Sequence, residues 1–257
     1  MDLSRFARHP GLKGKTVFIT GGGSGIGAVI VECFLDQGSK VAFVDIDEAA
    51  SLKLNDALKR QYGTAPLFIA CDIKDVAALQ VAIGRTQREL GDIGVLVNNA
   101  ASDTRHKWQE VTPEYWDERM AINQRPMFFA IQAVAPMMQR LGGGSIINFG
   151  SISWKIGTGN LAAYVAAKAG AHGLSRGMAR DLGQDNIRVN TILPGWVMTE
   201  RQLALWVDDA ANRLIDQQQF LKGRVMPVDL ARMTLFLASD DAKMCSGQEF
   251  TVDGGWA

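Results

Sequence analysis

The chain has 257 residues, 47% of them hydrophobic, and its 27 basic and 27 acidic side chains leave a formal net charge of zero. That length buries a large core and fits one α/β domain better than two small ones. The charge balance removes the footprint of a nucleic-acid binder, no apolar run of about 18 residues is present to span a membrane, and Cys33, Cys71 and Cys245 are too few and too separated for a disulfide framework or a zinc site.

The opening residues, Met1-Asp2-Leu3-Ser4-Arg5, carry no apolar stretch of the secretory kind, so a reducing cytoplasm is expected. His9, His106 and His172 are far apart and without ligand-spaced partners, so no metal site is expected. The first strand, Thr16 to Thr20, runs into Thr20-Gly21-Gly22-Gly23-Ser24-Gly25-Ile26-Gly27 and a helix over 25–37. Gly21, Gly25 and Gly27 let the backbone approach a pyrophosphate, and the helix N-terminus offers free N–H groups and positive dipole. Ser24 and Ile26 complete this candidate cofactor turn. The second strand, Val41 to Asp45, ends 18 residues after Gly27. A carboxylate there accepts both hydrogen bonds of an adenosine ribose diol and repels a 2′-phosphate, so NAD is the expected cofactor. Asp47 reads as the cap of a helix over 48–61.

The third strand, Leu67 to Cys71, leads to Asp72 and Ile73, where Asp72 can meet an adenine edge. A helix over 75–89 precedes the fourth strand, Gly94 to Asn98, and the turn Asn98-Asn99-Ala100. Its side chains can bond nearby backbone and fix the strand end beside the cofactor. A helix over 113–140, a strand from Ser145 to Phe149, a helix over 164–183 and a strand from Arg188 to Leu193 follow. The least regular region, 196–226, with helical character over 200–220, reads as a mobile lobe over the active site. A helix over 228–238 and a strand from Glu249 to Val252 close the chain. Repeated β-α-β units with near-continuous apolar strands predict a single α/β domain over 1–257. It is a Rossmann-type doubly wound parallel sheet of about seven strands with helices on both faces.

Tyr164 and Lys168 are four residues apart on a predicted helix and share a face, and Ser151 lies thirteen residues before the tyrosine. The chain has only three tyrosines, so this spacing is not a product of abundance. A free phenol, with a pKa near ~10, is a poor base at neutral pH. A nearby ammonium favours phenolate, which can then take a proton from an alcohol while the carbon loses hydride. Ser151 can hold the oxygen as charge develops on it.

With these residues in place, the chain resembles the short-chain dehydrogenase/reductase family over essentially its full length. The pattern is carried by Thr20-Gly21-x-x-x-Gly25-x-Gly27, Asp72, Asn98-Asn99-Ala100, Asn123, Ser151, Tyr164, Lys168 and Pro194-Gly195. The resemblance implies that Asn123 holds a water linking Lys168 to solvent, that Lys168 bonds the nicotinamide ribose, and that Thr199 meets the carboxamide. It places Pro194, Gly195 and Val197 beside the cofactor. It also implies a homotetramer built on the helices near 113–140 and 164–183, where Met137, Met138, Leu174 and Met178 put apolar surface on more than one face. The C-terminal segment would join that interface. Ala101 departs from the pattern, which usually has glycine there.

Asp103, Arg105, His106, Ser153, Trp154 and Trp196 are the candidate substrate residues, with Trp206 in the lobe. Aromatic faces beside several hydrogen-bonding side chains suit a polyol ring. Stretches such as Arg105-His106-Lys107, Tyr115-Trp116-Asp117-Glu118-Arg119 and Leu221-Lys222-Gly223-Arg224 resemble NAD-dependent aldose 1-dehydrogenases. That resemblance implies oxidation of a cyclic sugar, a pentose or a galactose-like hexose, at its anomeric carbon to an aldonolactone. Two alternatives stand beside it. One is a reductase of a 3-oxoacyl or steroid carbonyl, against which Asp45 argues. The other is a non-catalytic nucleotide sensor, against which the intact Ser-Tyr-Lys-Asn set argues.

Overall fold

A computed structural model describes residues 3–257. In chain order the elements are β1 (Thr16–Thr20), α1 (Gly25–Asp36), β2 (Lys40–Asp45), α2 (Glu48–Tyr62), β3 (Leu67–Ala70), α3 (Val76–Leu90), β4 (Ile93–Asn98), α4 (Pro113–Asn123), α5 (Arg125–Arg140), β5 (Gly144–Phe149), α6 (Ala162–Leu182), β6 (Ile187–Pro194), α7 (Glu200–Leu205), α8 (Asp209–Gln218), α9 (Pro227–Ala238) and β7 (Glu249–Val252). The strands form one sheet in the order β3-β2-β1-β4-β5-β6-β7, and every neighbouring pair is parallel. Chain order reverses between β1 and β4, which opens a crevice at their carboxyl ends.

The strands are apolar on both faces because both faces are covered. One core joins Ile19 and Val97 to Ile30 and Phe34 of α1 and to Leu230 and Leu235 of α9. The other joins Phe18 and Leu96 to Leu79 and Ile83 of α3 and to Ile131 and Val134 of α5. Side-chain oxygens start the helices: Asp47 accepts from the Ala50 N–H, Asp75 from Ala78 and Thr112 from Tyr115. A row of polar groups crosses the apolar interior. Asn98 Nδ2 donates to Asn148 Oδ1 at 2.8 Å, and Asn148 Nδ2 donates to Ser175 Oγ at 2.9 Å. Thr191 donates to the same oxygen at 2.7 Å, and the Ser175 hydroxyl donates to the Ala171 carbonyl.

Two predicted helices are each divided. The run 113–140 breaks at Gln124, whose φ of −136° leaves the helical region. Pro126 cannot donate to the carbonyl four residues back, and its ring crowds it, so a new helix starts there. The run 200–220 breaks at 206–208, where Asp208 caps α8 through the Ala211 N–H. Of the four residues expected to put apolar surface on more than one face of these helices, two are taken up by the core. Met137 and Met138 are core residues, and Leu174 and Met178 are half-buried against the same core. The exposed apolar side chains on α4 and α5 are Trp116 and Phe128. Among the described residues, no helix is long and apolar enough to cross a membrane.

Candidate active site

A cleft of about 900 Å³ lies over the carboxyl ends of the strands. Its first wall is the turn after β1. A Cβ on Gly27 would overlap the Gly21 carbonyl oxygen, and one on Gly21 would come within 2.8 Å of Ala100 Cα. The turn therefore closes onto the strand ends only because these positions lack side chains. Gly21 and Gly25 also hold φ of +68° and +54°. Ser24 makes no side-chain cap, so the first N–H groups of α1 are left to a ligand. Asn99 Nδ2 donates to the carbonyls of Thr20 and Gly21, and Thr20 Oγ1 accepts from the Asn99 and Ala100 N–H groups. The expected fastening of the β4 end is thus directed at the glycine turn. Asp45 accepts from the Gly23 N–H at 2.8 Å and the Asp47 N–H at 3.0 Å. Each oxygen keeps acceptor capacity toward the cleft. A side-chain-free cradle, an uncapped helix start and a carboxylate one strand away fit the diphosphate and ribose of a dinucleotide. Asp72, Ile73, Ala100, Pro194, Gly195, Val197 and Thr199 also line the cleft. Thr199 additionally caps α7 by accepting from the Gln202 N–H.

Ser151, Tyr164 and Lys168 line the cleft together. Ser151 follows β5 and accepts from the Ser153 N–H at 3.1 Å. Lys168 is buried, donates from Nζ to the Phe149 carbonyl at 2.7 Å, and lies 5.8 Å from the centre of the Tyr164 ring. Burial pushes the Tyr164 phenol up to about 12, against a Ser151 hydrogen bond that favours phenolate. Burial also takes Lys168 down to about 7. In the chain by itself, desolvation therefore outweighs the lysine-to-tyrosine effect expected from their spacing.

Lys168 yields a stability prediction. In the unfolded chain the lysine keeps its proton to its ordinary value near 10.5, and in the folded chain it releases it at about 7. Between those values the unfolded state binds more protons, so the folded state gains stability as pH rises; below about 7 the penalty is fully present. A Lys168→Met variant loses this dependence. Its melting temperature relative to wild type is expected to be most favourable near pH ~7 and to lose that advantage toward pH ~10. Parallel melting curves across the window would mean that the folded protein keeps Lys168 charged.

The remaining wall is polar and aromatic. Asp103 accepts from Gln202 Nε2 at 2.7 Å and pairs with Arg201 at 3.5 Å. Gln202 Oε1 accepts from the Trp196 indole at 3.0 Å. The Arg105 guanidinium lies over Trp206 at 4.9 Å, its buried Nε unpartnered, and the Ser153 hydroxyl is buried without a partner. Asp103, Arg105, Ser153 and Trp196 all line the cleft as expected.

His106 and Trp154 do not line it. His106 has both ring nitrogens engaged between α4 and α6. Trp154 ends the 3-10 turn Ile152–Trp154, which directs Ser153 inward and the next side chain away, alongside Lys155. Asn123 is fully buried behind the wall; its amide donates to the Ser102 and Arg119 carbonyls and accepts from the Ser102 N–H. Gln202, Arg201, Leu214 and Trp256 line the cleft without having been anticipated. Only the position of Gln202, three residues after Thr199, hinted at any of them.

Comparison with known proteins agrees with this geometry. A family model described as enoyl-(acyl carrier protein) reductase matches residues 21–257. D-xylose 1-dehydrogenase of Caulobacter vibrioides is 47% identical over 250 residues, 97% of this chain and 98% of that protein. A probable galactose dehydrogenase of Rhizobium meliloti is 47% identical over 97% of each chain. Among solved structures, a 7α-hydroxysteroid dehydrogenase complexed with NADH and 7-oxo glycochenodeoxycholic acid aligns with a TM-score of 0.91 at 32% identity, over 96% of this chain and 95% of its own. L-sorbose reductase from Gluconobacter frateurii, complexed with NADPH and L-sorbose, aligns at 0.90 and 27% identity over 96% and 98%. A seven-stranded doubly wound sheet, a glycine turn under its switch point and sequence kinship along nearly the whole chain lead to one assignment: this chain belongs to the short-chain dehydrogenase/reductase family of oxidoreductases.

Proposed function

We propose that the protein oxidises a cyclic aldose at its anomeric carbon with NAD, releasing an aldonolactone. The observation that carries this reading is the cleft itself. Ser151 and Tyr164 line it together with Asp103, Arg105, Ser153 and Trp196, which bring hydrogen-bonding and indole surface to the same cleft. The 47% identity to two sugar dehydrogenases over nearly whole chains supports it. A steroid or acyl chain would leave the buried Ser153 hydroxyl and Arg105 Nε unpaired.

Gly21, Ser24, Ile26, Gly27, Asp45, Asp72, Ile73, Asn99 and Ala100 would hold the dinucleotide, with Pro194, Gly195, Val197 and Thr199 on the far side and Gly25 shaping the turn. When bound, the oxidised nicotinamide supplies a hydride acceptor and a positive charge. Ser151 holds the anomeric oxygen. Tyr164 receives the hydroxyl proton, the C1 hydrogen leaves as hydride, and a carbonyl forms at C1. Lys168 in its charged form lowers the cost of the phenolate. Asn123 fixes Ser102 and hence the loop carrying Asp103 and Arg105. Asp45 favours NAD over NADP by repelling a 2′-phosphate.

The lobe 196–226 is anchored at its base by the Val197–Val225 bridge and by Phe220 and Leu221 bonding Gly254. Over the cleft, Gln202 and Arg201 hold Asp103, and we take this as the contact that opens to admit sugar. Exposed Trp116 and Phe128 support a homotetramer through α4, α5 and α6. A cytoplasmic enzyme is consistent with three free cysteines.

The test is product analysis. D-xylose, L-arabinose, D-galactose and L-fucose are each offered with NAD and with NADP. The expected result is lactone or aldonate from at least one sugar, stoichiometric NADH and a clear preference for NAD. Turnover confined to non-sugar alcohols would overturn the substrate assignment, and equal use of NADP would overturn the role of Asp45.

A further inference from the structure

His106 lies outside the cleft, yet it is bonded on every side. Its main-chain N–H donates to the Asn160 carbonyl at 2.9 Å. Among the described residues Asn160 is one of two non-glycine residues at positive φ, with a value of 56°. The His106 Nε2 accepts from the Ala163 N–H at 3.2 Å. The Nδ1 lies 3.2 Å from the Thr104 carbonyl and 3.0 Å from the Tyr115 hydroxyl, whose ring packs edge-on at 5.1 Å. Only the neutral ring with its proton on Nδ1 satisfies all of these, since Nε2 must accept while Nδ1 donates.

The partner on α6 matters. Helix α6 begins at Ala162, and its preceding residue, Leu161, supplies no side-chain cap. Helix starts leave their first N–H groups without intrahelical partners. Here the partner for Ala163 comes from 57 residues away in sequence, and the very next residue is Tyr164. We propose that His106 is a positioning residue for Tyr164. It caps α6 from the β4–α4 loop and fixes the phenol relative to Ser151 and to the loop bearing Asp103 and Arg105. One side chain thereby couples the helix of the proton acceptor to the wall that reads the substrate.

The proposal rests on Tyr164 acting as the base, so two separable readouts are used. The first is hydrogen exchange of the Ala163 amide, which needs no substrate. His106→Leu is expected to speed it by about tenfold or more, the scale of one lost hydrogen bond, and His106→Gln, whose amide oxygen can reach the Nε2 position, to restore protection. The second is kinetics on whichever sugar the wild type oxidises. His106→Leu is expected to lower kcat by roughly tenfold, leaving the NADH dissociation constant and melting temperature near wild type, and His106→Gln to recover most of the loss. Unchanged exchange in His106→Leu, equal losses in Gln and Leu, or loss of NADH binding together with kcat would each overturn the proposal. If Tyr164→Phe also keeps full activity while the exchange result holds, the catalytic reading of Tyr164 has failed and the cap has not.

Discussion

Tyr164→Phe is expected to lower kcat by about 10²–10⁴-fold, the usual worth of a positioned acid–base group. NADH affinity should be near wild type, because the glycine turn and Asp45 lie on a different wall of the cleft. Folding should survive as well. The phenol is held protonated, up to about 12, so the variant removes no buried charge. The sugar KM should move less than kcat, since Ser151 still meets the anomeric oxygen. Initial-rate kinetics and NADH fluorescence titration separate these terms, and turnover within a few-fold of wild type would dispose of the mechanism.

Gly27→Ala should be the most damaging single methyl group in the nucleotide half. The added Cβ overlaps the Gly21 carbonyl oxygen and comes within 2.7 Å of Asn99 Nδ2, the donor that binds that carbonyl. Backbone cannot rotate away as a side chain can, so α1 must back off from β1. Overpacking of this kind costs about 1–3 kcal/mol of stability. The larger effect should be on NADH, whose affinity is expected to fall by at least ~100-fold as the N–H groups at the start of α1 lose their aim. Gly84→Ala in α3 is the control. There the new methyl meets only Arg88 Nη1 at 3.5 Å, and alanine in a helix interior gains about 0.5–1 kcal/mol over glycine. If both variants bind NADH as wild type does, the cradle is not where the pyrophosphate lies.

What could be read from the sequence follows from range. The strands were legible to within a residue or so because a sheet covered on both faces demands unbroken apolar runs between turns. The glycine turn, Asp45, Ser151, Tyr164 and Lys168 were legible because each stands at a fixed offset from a strand or helix end. The breaks at Gln124 and at 206–208 were missed for a different reason. Apolar periodicity continued through both, although Pro126 and Asp208 were the local signals. The places of His106 and Trp154 were beyond reach, and Gln202 carried only its offset from Thr199. Their places depend on which way a 3-10 turn or a loop faces, and on partners 57 and 99 residues away for the first and last of them. The burial that acts on Tyr164 and Lys168 in the chain by itself was not legible, because spacing reports proximity and says nothing of burial.

The row of Asn98, Asn148, Ser175 and Thr191 has a consequence for how the sheet finds its alignment. A strand buried on both faces has no wet side and dry side, so sliding it by one residue exchanges one apolar contact for another and carries little penalty. Asn98 stands opposite Asn148, and Asn148 opposite Thr191, at one level across three adjacent strands. A slip of β5 by a single position would carry Asn148 away from both Asn98 and Ser175 and leave two buried amides without these partners, at roughly 1–3 kcal/mol each. The polar row thus supplies the registration that hydrophobic patterning cannot. It does so at the level from which β4 and β5 run on to Asn99 and Ser151.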